Sequence, residues 1–237
     1  MKTMTLEKIL QSQGIGTRNE CRALIHAGEV SVGGKVVDDS RADFEPEGLE
    51  FTVAGKPWRY RRHIYIALNK PEGYECSRQP SHHLGVLLLL PHEFLRRGVQ
   101  PVGRLDHDTT GLLLLSDDGQ FIHRLSSPKY HVPKVYRATT ADPVDSTQVR
   151  LLLAGVLLKD ESSPLAALEC RQLGLHEIEI TLAEGKYHQV KRMLAAAGNH
   201  CESLHRVAIG GLRLEALELS PGRWRYLDED ELSGIHR

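Results

Sequence analysis

The sequence predicts an α+β protein of two domains, a small one at 1–60 and a larger, sheet-rich one at 61–237. Residues 4–37 are typical of two short helices followed by a β-hairpin. A basic segment containing a proline, at 56–63, then precedes a new apolar start, as a linker would. Beyond it, short apolar runs recur between turn signals, which indicates a domain rich in strands.

The elements of the first domain follow from apolar spacing and from end signals. The first helix is indicated by apolar residues at helical spacing: Leu6, Ile9 and Leu10. Thr17 with Glu20 three residues later is the capping-box pattern, so a second helix is expected to begin there. After it, 30–37 alternates around Gly33-Gly34, which predicts two short strands joined by a tight turn.

Three cations of this domain are candidates for contact with RNA. Arg18 and Arg22 lie on the outer face of the second predicted helix, and Lys35 lies on the hairpin. Two helices followed by a hairpin, with Thr17-Arg18 and Val-Gly-Gly-Lys at the hairpin, resemble the alpha-L RNA-binding module of many RNA-modifying enzymes. The resemblance implies that these cations bind phosphates, positioning RNA without reading its sequence. Without it, they would be an ordinary solvated face.

The larger domain alternates predicted strands with a few helices. Strands are predicted where apolar residues alternate or run together, at 64–68, 112–115, 132–140, 166–170, 178–182, 204–209, 212–219 and 224–227. Helices are predicted from 3.6-residue spacing or end signals at 121–125, 143–158 and within 184–199, with a short final one opening at Asp228. The final helix carries Glu231 three residues after its cap, again a capping box.

A charged loop followed by an apolar strand stands at the centre of this domain. Arg104, Asp106 and Asp108 precede Leu112–Leu115, and the run stops at Asp-Asp-Gly. Four consecutive leucines between a polar loop and a turn predict a buried strand, which would hold a carboxylate rigidly at its mouth. Two other interpretations stay open at this point: aspartates that only bond their own turn, and a pair of carboxylates in an acid–base hydrolase.

The string around this loop changes its interpretation. Gly-Arg-Leu-Asp-His-Asp-Thr-Thr-Gly-Leu resembles the signature of the bacterial ribosomal-RNA pseudouridine synthases of the RsuA type, which implies that Asp106 is catalytic. Asn-Lys-Pro-Glu-Gly at 69–73 resembles the first motif of that family, which is chiefly structural, and Lys134-Val-Tyr136 resembles the second. The resemblance places Tyr136 against the target base, with Arg104 filling the space that the base leaves or binding a phosphate. Asp108 is left with a loop-shaping role.

Residues 186–193, Lys-Tyr-His-Gln-Val-Lys-Arg-Met, resemble the third motif, in the form of the small-subunit branch. The resemblance implies that Lys191 pairs with Asp106. Cations crowded at a helix start oppose the helix dipole, which suggests a negatively charged partner there. The further residues expected to bind RNA in this domain are Lys134, Lys186, His188 and Arg192.

Composition excludes several classes of protein. The net charge of −1 is not that of a generally basic nucleic-acid binder, so RNA contact must depend on local patches. No apolar run approaches the roughly 20 residues of a membrane span, and the first residues do not predict a secretory signal. The four cysteines form no close pair, which favours reduced thiols in the cytoplasm. Histidine and cysteine spacings indicate no metal site.

The resemblance implies a monomeric enzyme that isomerises a uridine of small-subunit (16S) ribosomal RNA, free or in an assembling subunit, without a cofactor. It also implies a catalytic domain with a mixed, mainly antiparallel sheet and flanking helices. The alternatives are a synthase acting on large-subunit RNA and a catalytically silent RNA-binding factor in ribosome assembly.

Overall fold

The structure, a computed structural model, describes residues 3–77 and 79–235. It divides the chain into two compact units, one of residues 1–64 with 90–100 and one of residues 65–89 with 101–237. No pattern in the sequence predicts that residues 90–100 belong to the first unit.

The described residues of the first unit form three helices and six short strands. The helices are α1 (Leu6–Ser12), α2 (Arg18–His26) and α3 (His92–Arg97). The strands are β1 (Met4–Thr5), β2 (Val30–Val32), β3 (Lys35–Val36), β4 (Asp43–Phe44), β5 (Glu50–Val53) and β6 (Lys56–Arg59). Four of them form a sheet in the order β3-β2-β5-β6.

The predicted helix–helix–hairpin arrangement is confirmed in this unit. Thr17 accepts from the Glu20 backbone N–H while the Glu20 carboxylate accepts from that of Thr17, so the capping box forms. The apolar sides of α1 and α2 pack with residues of β2 and β5 into one core. The linker prediction at 56–63 is wrong in its first half, because Lys56–Arg59 pairs with β5 as the last strand of the sheet.

Helix α3 joins this unit through specific contacts. The Arg97 guanidinium donates to the Gln13 side chain at 2.8 Å and to the Arg61 carbonyl at 3.0 Å. Gly14 lies so close to the Glu93 carbonyl that a Cβ there would be 2.1 Å from its oxygen. These contacts join segments more than 30 residues apart, so local patterns could not predict them.

Within the part of the chain that the structure describes, the second unit is built on a nine-stranded sheet. The strands of this sheet are β7 (Tyr65–Lys70), β10 (Gln100–Pro101), β11 (Thr109–Ser116), β12 (Lys134–Thr140), β13 (Glu169–Gly174), β14 (Glu177–Leu182), β15 (Cys201–Ile209), β16 (Leu212–Arg213) and β17 (Trp224–Tyr226). Two further strands, β8 (Tyr74–Glu75) and β9 (Leu84–Gly85), pair with each other in a separate sheet. The helices are α4 (Gly119–Ser126), α5 (Ser146–Ala154), α6 (Gln189–Ala196) and α7 (Glu229–Gly234).

The main path of the sheet runs β13-β14-β12-β15-β11-β7-β17. Strands β11 and β15 run parallel, whereas β7 pairs with β11, and β12 with β15, in antiparallel fashion. The prediction of a mixed, mainly antiparallel sheet is therefore confirmed. Leu112–Leu115 have no exposed surface, as expected for a central strand covered on both faces.

Several predicted boundaries shift. The strand predicted at 212–219 is only Leu212–Arg213, and a 3-10 turn follows at Glu215–Leu217. Leu214 and Leu217 are buried in the same core, and their spacing of three suits that turn better than a strand. The helix predicted at 143–158 begins at Ser146, because Asp145 caps it, and ends at Ala154 before Gly155 with φ 103°. The final capping box, Asp228 with Glu231, forms as predicted.

None of the described helices is long and apolar enough to span a membrane.

Candidate active site

The loop that carries Asp106 connects β10 to β11, and a buried lysine holds it through hydrogen bonds to its backbone carbonyls. Lys70, at the end of β7, has no exposed surface. Its ammonium group donates to the carbonyls of Pro71 and His107 at 3.1 Å and of Thr109 at 2.8 Å. Burial lowers the pKa of Lys70, an effect opposed by nearby carboxylates that include Asp106. The sequence pointed to Lys70 only through a structural motif, and the structure makes it the support of this loop.

Asp106 lies at the wall of a cleft of about 280 Å³. Its side chain is 32% exposed, and its Oδ1 is 3.3 Å from Nε2 of His188. The other residues that line the cleft come from five elements and the loops beside them: Arg104, Leu105, Thr109, Tyr136, Leu182, Gly185, Lys186, Tyr187, Gln189, Val190 and Leu204. The volume suits one nucleobase, and the lining combines apolar surface with a few polar groups, as small-molecule sites do.

The ion pair expected between Lys191 and Asp106 is not present. Lys191, on α6, donates to both carboxylate oxygens of Asp108, at 2.7 and 2.6 Å. Burial raises the pKa of Asp108, but the hydrogen bonds and charge of Lys191 outweigh it, so the pKa lies below its usual value. Because the two aspartates are two residues apart on a tight loop, they point to different partners. Asp108 therefore links the loop to α6, which corrects its expected loop-shaping role.

His188 reaches Asp106 through an unusual backbone conformation. The residue precedes α6 with φ 48° and ψ 32°, the left-handed region that only a few per cent of non-glycine residues adopt. Helix α6 begins at Gln189, so 184–188 form a loop against the cleft. Sequence reasoning expected His188 to contact RNA, and the structure brings it to the candidate catalytic carboxylate.

Tyr136 lines the same cleft as Asp106. It is 8% exposed and stands opposite Ile180 on β14 and Arg206 on β15. Residues directly opposite in a sheet share a face, so the side chain of Arg206 lies on the cleft side of the sheet. Lys134 shares that face, since it stands opposite Leu182, another lining residue.

Half-buried Lys134 and buried Arg206 form a positive region behind Tyr136. Burial, with the nearby charge of Arg206, lowers the pKa of Lys134 to about 8. Arg206 is 2% exposed and donates from Nε to the Leu112 carbonyl at 2.7 Å. Its buried Nη2 has no hydrogen-bond partner in the described residues. Sequence reasoning missed Arg206, although a His-Arg pair inside an otherwise apolar strand was the available signal.

The other predicted cations near α6 have partners within the chain. Lys186 pairs with Glu161, at 2.5 Å. Arg192 donates to the carbonyls of Lys159 and Tyr187, so its positive charge is not neutralised by a carboxylate there. Arg104 is exposed at the cleft.

Of the predicted RNA-binding cations in the first unit, two are paired with a carboxylate and one is exposed. Arg18 and Arg22, on α2, both donate to the buried Glu7 carboxylate of α1, Arg18 at 2.7 Å. The hydrogen bonds from Arg22 and Arg18 lower the pKa of Glu7 to about 2. Lys35 is exposed on β3.

Residues 64–196, more than half of the chain, match the sequence family described as RNA pseudouridylate synthase. The chain belongs to this family. Residues 4–44 match the S4 domain, and they fall within the first unit.

Relatives of this synthase align over nearly their whole length. An RNA pseudouridine synthase of Bacillus subtilis, YtzG, described as uncharacterised, is 40% identical, with 97% of each chain covered. The ribosomal small subunit pseudouridine synthase A of Escherichia coli K12 is 36% identical, covering 98% of this chain and all of the relative. The enzyme of the same name from Vibrio vulnificus is 38% identical, covering 98% of this chain and 99% of the relative. A crystal structure of a pseudouridylate synthase superposes with a TM-score of 0.69 at 33% identity, over 98% and 99% of the two chains.

Proposed function

We propose that this synthase converts a specific uridine of small-subunit (16S) ribosomal RNA into pseudouridine, with Asp106 as the catalytic residue. The observation that carries the proposal is a partly exposed carboxylate in a base-sized cleft, beside Tyr136 and His188. Full-length relatives named ribosomal small subunit pseudouridine synthase A support the choice of RNA.

The reaction is an isomerisation that balances within the nucleotide. The N1–C1′ bond breaks, the C5–C1′ bond forms, C5 loses a proton and N1 gains one. An ionised carboxylate serves each route to this product, by adding to C6 of the base, by attacking C1′ or by taking the 2′ proton. No electron or group comes from outside, so the chemistry needs no cofactor.

The base must leave its stack to reach the cleft, at a cost of a few kcal/mol. Tyr136 is placed to stack on the extruded base, and Arg104, exposed at the cleft, is placed to fill the vacated space or bind a phosphate. Lys134 and Arg206 behind Tyr136 make negative charge favourable in the cleft, which suits a uracil that leaves with the electron pair of the broken bond.

Contacts outside the cleft would position the RNA. Arg192 beside the cleft and Arg18, Arg22 and Lys35 of the first unit are placed to bind phosphates, although Glu7 already holds the two arginines of α2. Lys186 contributes less, because Glu161 neutralises it. We expect the synthase to act as a monomer. Its place of action is the cytoplasm, where bacterial ribosomes assemble.

The test compares two neighbouring carboxylates. Purified wild type, Asp106→Asn and Asp108→Asn are incubated separately with small-subunit RNA, small-subunit particles and large-subunit RNA, and pseudouridine is mapped chemically. We expect Asp106→Asn to give no product. Asp108→Asn should keep measurable activity, reduced about 10- to 100-fold, because it only misplaces the loop.

Circular dichroism must show that both variants are folded. Near-normal turnover by Asp106→Asn would refute its catalytic role. Product in large-subunit RNA alone would assign the other substrate, and binding without product by the wild type would indicate the silent assembly factor.

A further inference from the structure

An exposed aromatic ring stands beside the cleft without a role in the chemistry above. Tyr187 is 76% exposed, more than any other large apolar side chain of the described residues. A single exposed tyrosine is ordinary on a protein surface. Tyr187, however, lines the same cleft as Asp106, so a bound substrate could contact its ring.

The ring is held in a defined orientation. Tyr187 and His188 are stacked, with ring centroids 3.8 Å apart and planes 18° from parallel. His188 is in turn fixed by its left-handed backbone and by its proximity to Asp106. One face of the Tyr187 ring is therefore covered by an imidazole, which leaves the opposite face as the source of its large exposed area.

The charge around the ring favours a nucleic acid strand. Arg192 donates to the Tyr187 carbonyl and retains its positive charge. A stacked aromatic ring next to an available cation is the combination by which proteins hold single-stranded RNA, with the ring contacting a base and the cation a phosphate.

We propose that Tyr187, backed by His188, is a stacking platform for the unpaired nucleotide next to the target uridine, an inference that rests on the proposed function. The target base enters the cleft towards Asp106 and Tyr136, and its neighbour lies on the open face of Tyr187. Stacking tolerates any base because every base has a π-face, so this platform contributes affinity and placement without sequence readout.

The experiment uses the full-length protein and short single-stranded RNAs centred on the mapped uridine. Each RNA is made intact or with an abasic residue at the 5′ or the 3′ neighbour of that uridine. Tyr187→Leu removes the ring, and Tyr187→Phe keeps it. Tyr130→Leu is the matched control, because Tyr130 is 53% exposed, contacts His123 and does not line the cleft.

We expect Tyr187→Leu to raise KM and the binding Kd for intact RNA about 5- to 100-fold, the range for one base–aromatic stack. Tyr187→Phe and Tyr130→Leu should stay within about twofold of wild type. An abasic residue at one of the two neighbours should weaken the wild type similarly, and on that RNA Tyr187→Leu should cause no further loss.

Unchanged binding by Tyr187→Leu overturns the proposal, and so does a loss that is just as large on both abasic RNAs. If Tyr187→Leu does not fold, the abasic series on the wild type decides, and equal binding of the intact RNA and both abasic RNAs overturns the proposal. Binding is also followed by fluorescence anisotropy without turnover. A wild type that makes no pseudouridine would refute the proposed function. Anisotropy with uridine-containing single-stranded RNAs of arbitrary sequence, intact or with abasic residues, would still decide whether Tyr187 stacks on a base.

Discussion

At the scale of single residues, Asp106 and Asp108 are separated by one histidine and have different neighbours. Asp106 faces the cleft and His188, whereas both oxygens of Asp108 accept from Lys191. We therefore infer that Lys191 acts on the reaction indirectly, by holding the loop through Asp108. It is a positioning residue in this arrangement, and Asp106 keeps an exposed edge for substrate.

This inference predicts the outcome of a double-mutant cycle. Lys191→Met and Asp108→Asn should each lower kcat by about 10- to 100-fold with little change in KM, since each releases the same loop. The double variant should be no worse than the poorer single one, because the two changes remove one interaction. Single-turnover rates and thermal unfolding are measured for all four proteins.

The matched control pairs Lys191→Met with Tyr187→Leu, whose effects we expect to multiply. Multiplying losses for Lys191 and Asp108, in contrast, would mean that Lys191 contributes through another group.

At the scale of elements, α1 and α2 are joined by a buried carboxylate. Glu7 is 2% exposed and accepts from both Arg18 and Arg22, which lie one turn apart on α2. The two arginine side chains are 55% and 38% exposed, so removing the Glu7 charge leaves them solvated and weakens the contacts that link α1 to α2. The two arginines expected to bind RNA therefore also stabilise the helix pair.

The pKa of Glu7 gives this contact a pH dependence. It is about 2 in the folded protein, against an ordinary value of 4.5, so the unfolded chain binds more protons between these values. The stabilisation is complete above pH 4.5 and is lost as the pH falls towards 2. Glu7→Gln should lower the free energy of unfolding at pH 7 and remove this part of the acid dependence.

The measurement is denaturant unfolding followed by Trp58 fluorescence in a Trp224→Phe background, since the chain has two tryptophans. Glu47→Gln, at an exposed carboxylate, is the control and should behave as wild type. An acid dependence identical in Glu7→Gln and wild type would contradict the assignment.

At the scale of the whole molecule, a net charge of −1 conceals where the positive charge lies. The second unit buries Lys70 under the cleft, and places buried Arg206 and half-buried Lys134 behind it. Burying cations costs stability, and it places a positive potential where negative charge develops in the reaction. These cations therefore lower the stability of the fold and, at the same time, produce a positive electrostatic potential in the cleft.

Lys134 makes this cost measurable. Its pKa is about 8 in the folded protein and ordinarily 10.5, so between these values the unfolded state holds more protons and stability rises with pH. The cost is complete below pH 8 and disappears above 10.5. Lys134→Met should be more stable than wild type at pH 7, by at most about 3 kcal/mol, and the difference should shrink as the pH approaches 10.5.

Chemical unfolding at several pH values gives this difference directly. Lys129→Met, at an exposed lysine, serves as the control and should leave the pH profile unchanged. A Lys134→Met protein that is less stable than wild type at pH 7 would show that the ammonium stabilises the fold.

What the sequence determined by itself is local or is carried by contiguous motifs. The two predicted capping boxes, the hairpin at Gly33-Gly34 and the buried strand at Leu112–Leu115 depend on residues within a few positions of one another. Hydrophobic period and cap chemistry act over that range, so these predictions are confirmed. The motif around Asp106 likewise placed the chain in its family.

Only the tertiary structure decided how distant residues pair. It assigned Lys191 to Asp108 across 83 positions, put Lys70 under the loop, and brought His188 to Asp106 through a left-handed residue. It also placed 90–100 with the first unit. Such choices depend on the direction of loops and on burial, where a shift of an ångström changes which ion pair forms. Local patterns carry no information about either.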